Sequence, residues 1–310
     1  MFFFPYRVDL PLGRIPFATI LIAILCIIVF AKQLSSADEI QDVIYKYCVQ
    51  NQHNHDLRLT FSKLKSRDLD SCETLFHYIH KSKDPQKTIE QLGRVARPIQ
   101  GLSRYYSQHF ITSTLQDNYK LISDKLPVDL TERLAYHADS YNIINMFTSQ
   151  FAHADIFHLV GNLLFFYAFA ASLEIVLGSL RFITLAAVMS IGVSLAFSLS
   201  TLSPGPEAST IGLSGVVMGM IGLFSYLMPT ANIRCLLVIL LYFRTITIPA
   251  WLLAIWFFGW DFYELFLTDR QTNVNLVAHV SGAFFGYALA AIFFRHRKKD
   301  ISKHLLKMKK

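Results

Sequence analysis

The sequence predicts an all-α, polytopic membrane protein: six transmembrane helices, with a large helical extracytoplasmic insert between helices 1 and 2. Three observations predict it. Of 310 residues, 53% are hydrophobic and only 16% are charged, where soluble domains carry about 25% charged residues. The apolar residues gather into runs of the roughly 17–25 residues that a bilayer crossing requires. The net charge of +7 sits in the last sixteen residues, Arg295–Lys310, which hold eight Lys/Arg and one Asp. That cluster directly follows an apolar run, where membrane proteins carry cytoplasmic anchoring charge. The rest of the chain is close to neutral, so no nucleic-acid partner is expected. A secreted disulfide scaffold and a disordered tail protein fit the composition equally poorly.

The first span is Ile15–Ala31, with Pro16 in its first turn, where a missing N–H costs nothing. It lacks a small-residue cleavage site and reads as a retained anchor rather than a signal peptide. Residues 32–146 form an insert of about 115 residues, nearly neutral. Helical patches show at Glu39–Val49 and Asp129–His137, where Asp129 and Glu132 resemble a variant capping box. The insert also holds Cys48 and Cys72. Two free thiols are the plainer reading and a disulfide between them is the alternative. Five more spans follow at Ile156–Leu177, Phe182–Leu199, Ile211–Met228, Pro249–Leu267 and Val274–Phe294. The nine apolar residues Cys235–Phe243, bracketed by Arg234 and Arg244, are too few to cross and are expected at the interface. Six spans put Arg7, Arg14, Arg181, Arg234 and the 295–310 tail on one cytoplasmic side. The Thr201–Thr210 connection, without Lys or Arg, then falls outside. A seventh span would move the basic tail across the membrane, against that rule. The expected setting is a multi-pass protein of a bacterial inner membrane with both termini cytoplasmic.

Ionisable and polar residues inside apolar spans are costly and default to functional candidates. Those of interest are His158, Asn162, Glu174, Ser214 and His279. With the N-terminus inside, spans two, four and six all enter from the extracytoplasmic face. His158, Ser214 and His279 lie near those three starts, so they share one shallow layer. Ser214 sits in Gly212-Leu213-Ser214-Gly215, after Pro204-Gly205-Pro206. A lone membrane Ser commonly bonds back to its own helix, and a lone His or Asn commonly packs helices. The common depth argues for one site instead. A serine needs a base to act as nucleophile, and His279 supplies one. Gly215, Gly219 and Gly222 follow helical spacing beside Ser214, as do Gly282, Gly286 and Ala290 beside His279. Small faces of this kind let two helices approach closely in lipid. His158 and Asn162, four residues apart, share a face and can donate to an oxyanion together with the Ser214 amide. Neither is acidic, which predicts a dyad rather than a triad. A metal site from His153, His158 and His279 lacks both the H-E-x-x-H spacing and an acidic partner. Glu174, deep in span two, is expected to be structural. No metal or organic cofactor is expected.

His158-x-x-x-Asn162, Gly212-Leu213-Ser214-Gly215 and Ala278-His279-x-x-Gly282-x-x-x-Gly286 together resemble the rhomboid family of intramembrane serine proteases. The likeness extends through Phe147-Thr148, His153, Glu174 and Gly178. It implies a six-helix, rhomboid-like core at 147–294 joined to the first span at 1–31. It also implies a Ser214/His279 dyad, oxyanion support from His158 and Asn162, and cleavage of transmembrane protein substrates within the lipid bilayer. Two positions depart from the family pattern. Met218 stands where many members stack an aromatic ring on the catalytic His, so a thioether contact is expected to support His279. Ile144-Asn145 stands where many carry Trp-Arg. The rival readings are a non-catalytic rhomboid-like protein that binds membrane helices, and a small transporter. A transporter would put its polar groups at the midplane and show repeated halves.

Overall fold

The computed structural model describes residues 2–9, 13–64, 71–82, 84–201, 208–239, 242–268, 274–299 and 301. Strand β1 (Phe2–Val8) precedes helix α1 (Phe17–Gln50). Four helices follow: α2 (His55–Lys63), α3 (Cys72–Lys81), α4 (Pro85–Val95) and α5 (Arg104–Ser123). Short elements come next, α6 (Leu130–Leu134), β2 (Tyr136–His137) and α7 (Ile143–Thr148), then the long helices α8 (Ile156–Leu177) and α9 (Ser179–Ser200). Strand β3 (Ser209–Thr210) leads to α10 (Ser214–Leu227), and the hairpin β4 (Asn232–Ile239) and β5 (Tyr242–Pro249) leads to α11 (Ala250–Leu267) and α12 (Leu276–Phe293). Pro204-Gly205-Pro206 and the tail beyond residue 301 lie outside the described residues.

The chain divides into two compact units, Lys32–Leu130 and the remainder, Met1–Ala31 with Thr131–Lys310. In the first of these, helices α2 to α5 and the C-terminal part of α1 enclose an apolar core that includes Ile44, Leu75, Phe76, Ile79, Ile89 and Ile111. Cys48 and Cys72 are joined in a disulfide, so the plainer expectation of two free thiols gives way to its alternative. At α6, Glu132 pairs with His137 Nε2 at 2.9 Å.

Among the described residues, the helices long and apolar enough to cross a bilayer are α1, α8, α9, α11 and α12. The molecule is thus an integral, multi-pass helical membrane protein. Two expected boundaries move. Helix α1 runs unbroken to Gln50 rather than ending at Ala31, since no Gly or Pro interrupts Phe17–Gln50. Helix α10 begins at Ser214 rather than Ile211, because Gly212 stands at φ +113°, which a right-handed helix cannot pass through. Its fourteen residues reach about 21 Å at 1.5 Å per residue, well short of the roughly 30 Å hydrocarbon core. A helix apolar on every side must be buried. Every residue of α10 from Gly215 to Phe224 is, packed among α8, α9, α11 and α12.

The all-α expectation needs one amendment. β1, β4 and β5 form an antiparallel sheet in the order β1-β4-β5, with Phe4 opposite Leu236 and Cys235 opposite Ile246. Of the stretch expected at the interface, residues 235–239 belong to β4 and 242–243 to β5. An Arg234–Asp9 ion pair at 2.6 Å joins the same two segments.

Glu174 fixes the start of α1. Its carboxylate accepts from the Ala18 amide (2.9 Å), the Thr19 amide (2.7 Å), the Thr19 hydroxyl (2.7 Å) and the Ser179 hydroxyl (2.6 Å). The first amides of a helix have no partner within it, and a carboxylate there also meets the positive end of the helix dipole. Glu174→Ala strands buried donors on α1 and is expected to destabilise the protein by about 2–4 kcal/mol. Thermal unfolding in detergent checks this. An unchanged midpoint would mean that α1 is held by apolar packing alone.

Candidate active site

The approach to α10 is built from short fixed pieces. β2 pairs with β3, Tyr136 opposite Thr210, and the buried Tyr136 hydroxyl bonds Ser198 Oγ at 2.6 Å. Gly212 then donates its amide to Ser149 O at 2.8 Å. A Cβ at Gly212 would sit 2.7 Å from His158 Cε1 and 3.6 Å from Asn162 Nδ2. The His158 ring therefore rests directly on the backbone two residues before Ser214, and glycine is required there for both conformation and space.

His158 and Asn162 both come from α8. Asp155 caps that helix by accepting the His158 amide at 2.9 Å, which sets the position of the first turn. The Ala154 amide reaches His158 Nδ1 at 3.5 Å. His153 crosses His158 edge to face, with ring centroids 5.2 Å apart. Burial, helped by the neighbouring His158, pushes the His153 pKa down to about 4, so this ring is neutral at physiological pH. Asn162 is buried, and its Nδ2 has no hydrogen-bond partner among the described residues. Donors left open in this way are what an oxyanion needs.

Ser214 is the first residue of α10 and is half-buried. It lines a small cleft with Ser149, Gln150, Gly212, Gly215 and Ala278. The first-turn amides of α10 have no intrahelical acceptor. Helix α12 closes on α10 by backbone contact. A Cβ at Gly282 would lie 2.1 Å from Gly215 O, and one at Gly286 would lie 1.7 Å from Gly219 O. A Cβ at Gly219 would in turn stand 3.2 Å from Gly282 O. Asn275 caps α12 through the Ala278 amide (2.9 Å) and ties it to Thr210 Oγ1 (3.0 Å). One side chain thus links the start of α12 to the strand leading into Ser214.

His279 stands one residue beyond Ala278, whose carbonyl would lie 3.2 Å from a Cβ at Gly215. The Ser214 hydroxyl is not hydrogen-bonded to it here: His279 Nε2 is buried with no partner among the described residues. Its Nδ1 is 2.9 Å from Oδ2 of Asp261, on α11. Sequence reasoning missed this acid, which also runs against the expectation that no acidic group attends the site. The signal was available, since Asp261 is an ionisable residue inside an apolar span. Met218 lines an apolar cavity of about 380 Å³ with Phe258, Ala283, Phe284 and Tyr287. Asn145 holds the end of α6, donating to the carbonyls of Arg133 (2.9 Å) and Ala135 (2.8 Å).

Comparison with known proteins gives one family and one distant relative. The model of the rhomboid domain matches residues 141–296. The chain is 31% identical over 149 residues to the protein described as "Rhomboid protein 1, mitochondrial" of Saccharomyces cerevisiae. That match covers 46% of this chain and 40% of the relative. No solved structure matches the chain significantly.

Proposed function

We propose, from the premise that this chain belongs to the rhomboid family, that it is an intramembrane serine protease. Its members are generally serine proteases that work within the membrane. In this reading Ser214 is the nucleophile, His279 the general base, and His158, Asn162 and the Ser214 amide stabilise the oxyanion. Gly215, Gly219, Gly282 and Gly286 hold the two helices together. The observation that carries the reading is the backbone contact of Gly282 with Gly215. It supports bringing His279 and Ser214 to one layer from helices far apart in sequence.

The chemistry follows from those roles. His279 Nε2 takes the hydroxyl proton as Ser214 Oγ bonds to the scissile carbonyl carbon, and the carbonyl oxygen becomes an anion. Donors fixed beforehand at that oxygen favour the charged state over the neutral one. The anion collapses, the C–N bond breaks, and the His279 proton leaves on the new amine. Water then attacks the ester and gives its proton to His279. The Oγ–C bond breaks and the hydroxyl is restored.

The six-span path has structural support. Pairing of β1 with β4 puts the N-terminal strand and the α10–α11 connection at one end, which that path demands. Both termini are then cytoplasmic, with residues 295–310 a basic anchor and residues 32–146 an extracytoplasmic insert. The Cys48–Cys72 disulfide supports an oxidising compartment on the insert's side, such as a bacterial periplasm outside the inner membrane. The partners in this reading are transmembrane proteins. Co-expression with a panel of single-span membrane proteins tests it: at least one member is cleaved, and Ser214→Ala stops the cleavage. Cleavage that persists in Ser214→Ala would overturn the assignment. A panel left uncut by the active-site-intact chain would favour the non-catalytic helix-binding reading.

A further inference from the structure

We propose that Asp261 is a positioning residue of this site, holding His279 in the one tautomer able to accept the Ser214 proton. The inference rests on the Ser214/His279 reading above and adds a third group from a third helix. Asp261 Oδ2 and His279 Nδ1 are 2.9 Å apart, with side chains only 16% and 15% exposed. In this proposal Asp261 is the carboxylate, which can only accept, so the hydrogen between them belongs to Nδ1. A neutral imidazole protonated at Nδ1 carries its lone pair on Nε2. Nε2 is the buried atom with no partner among the described residues. The base is therefore presented in the correct form before substrate arrives.

The setting sharpens the point. Helix α11 is apolar and buries only Ala250 and Leu253 fully against the protein. An acid in such a helix is expensive in a membrane unless it is paired, and fastening α11 needs only apolar contacts. A carboxylate aimed at the imidazole has a further use once proton transfer begins. As His279 becomes imidazolium, the adjacent negative charge stabilises it in a medium where water cannot.

The test uses a fluorophosphonate on the purified full chain, because it requires no knowledge of the substrate. In that reaction Ser214 Oγ bonds to phosphorus, fluoride leaves with the P–F electron pair, and the serine proton passes to His279. The inactivation rate constant and the inhibitor's binding constant are measured separately for wild type, Asp261→Asn, Asp261→Glu and Ser214→Ala. Asn keeps the shape but allows the wrong tautomer, a change that costs about 10⁴-fold in a soluble triad. Here we expect the rate constant to fall about a hundredfold or more, with binding unchanged and partial recovery in Asp261→Glu. A second readout does not depend on any variant at Asp261 folding. ¹⁵N spectra of the histidines, with His279 identified by difference from His279→Gln, should show hydrogen on Nδ1 and none on Nε2. An Asp261→Asn rate constant equal to or above that of wild type would overturn the inference, as would a hydrogen found on Nε2. If Ser214→Ala labels as well as wild type, the underlying reading fails instead.

Discussion

His279→Ala loses detectable labelling of Ser214 by a serine-directed fluorophosphonate, while wild type labels. A hydroxyl is a poor nucleophile until a base beside it removes its proton. In soluble serine proteases, removing either member of the pair costs on the order of 10⁶ in turnover. The other nearby rings have other roles in this reading: His158 supports the oxyanion, its Nδ1 facing the Ala154 amide at 3.5 Å, and His153 Nδ1 lies 3.2 Å from Phe151 O. Ser214 Oγ is not bonded to Nε2 in this structure, so in this reading the reactive contact forms when the two side chains move together. Gel fluorescence of wild type, His279→Ala and Ser214→Ala, each verified as folded, decides the matter. Undiminished labelling in His279→Ala would sink the pairing of base and nucleophile.

Gly282→Val is expected to insert and fold yet lose more than a hundredfold in proteolysis. Its first added carbon would stand 2.1 Å from Gly215 O, where 3.4–4 Å is ordinary contact. Backbone cannot rotate away as a side chain can, so α12 must withdraw from α10 by more than about 1 Å. Overpacking of this kind commonly costs about 1–3 kcal/mol. A displacement near 1 Å between reacting groups can cost about a hundredfold in rate, and His279 moves with α12. Phe284→Leu is the control, because that ring is 67% exposed and two residues on from Gly282 is roughly 200° around the helix. It should remain active. Activity assays and thermal unfolding of both purified variants supply the measurement. A folded, fully active Gly282→Val would show that the separation of α10 and α12 at this level does not govern the site.

The glycine contact shows how far a sequence carries. Gly215, Gly219, Gly282 and Gly286 repeat at helical spacing, and that repeat is a local property that can be read before any fold is known. The same holds for the apolar runs. Hydropathy and length belong to each segment separately, which is why Ile156–Leu177 appears as a helix with those same ends. Even the late start of α10 has a local cause in Gly212, although its positive φ could not be inferred from a Gly-Leu-Ser-Gly string.

Other features have no local cause. Glu174 lies 156 residues from the Ala18 amide it receives, Cys48 is 24 from Cys72, and β1 pairs with a strand more than two hundred residues away. Asp261 is only 18 residues from His279, yet it was as hard to foresee, because the two stand on different helices whose rotation the sequence leaves open. By itself, then, the sequence determined the apolar segments, the positions of the charges along the chain and the residue types able to do chemistry, since hydropathy, charge and reactivity are properties of each residue in place. Only the tertiary structure decided which helix faces meet. Asp261, and not another polar group, therefore reaches His279, because side-chain partnership depends on packing distances of a few ångströms that no single segment encodes.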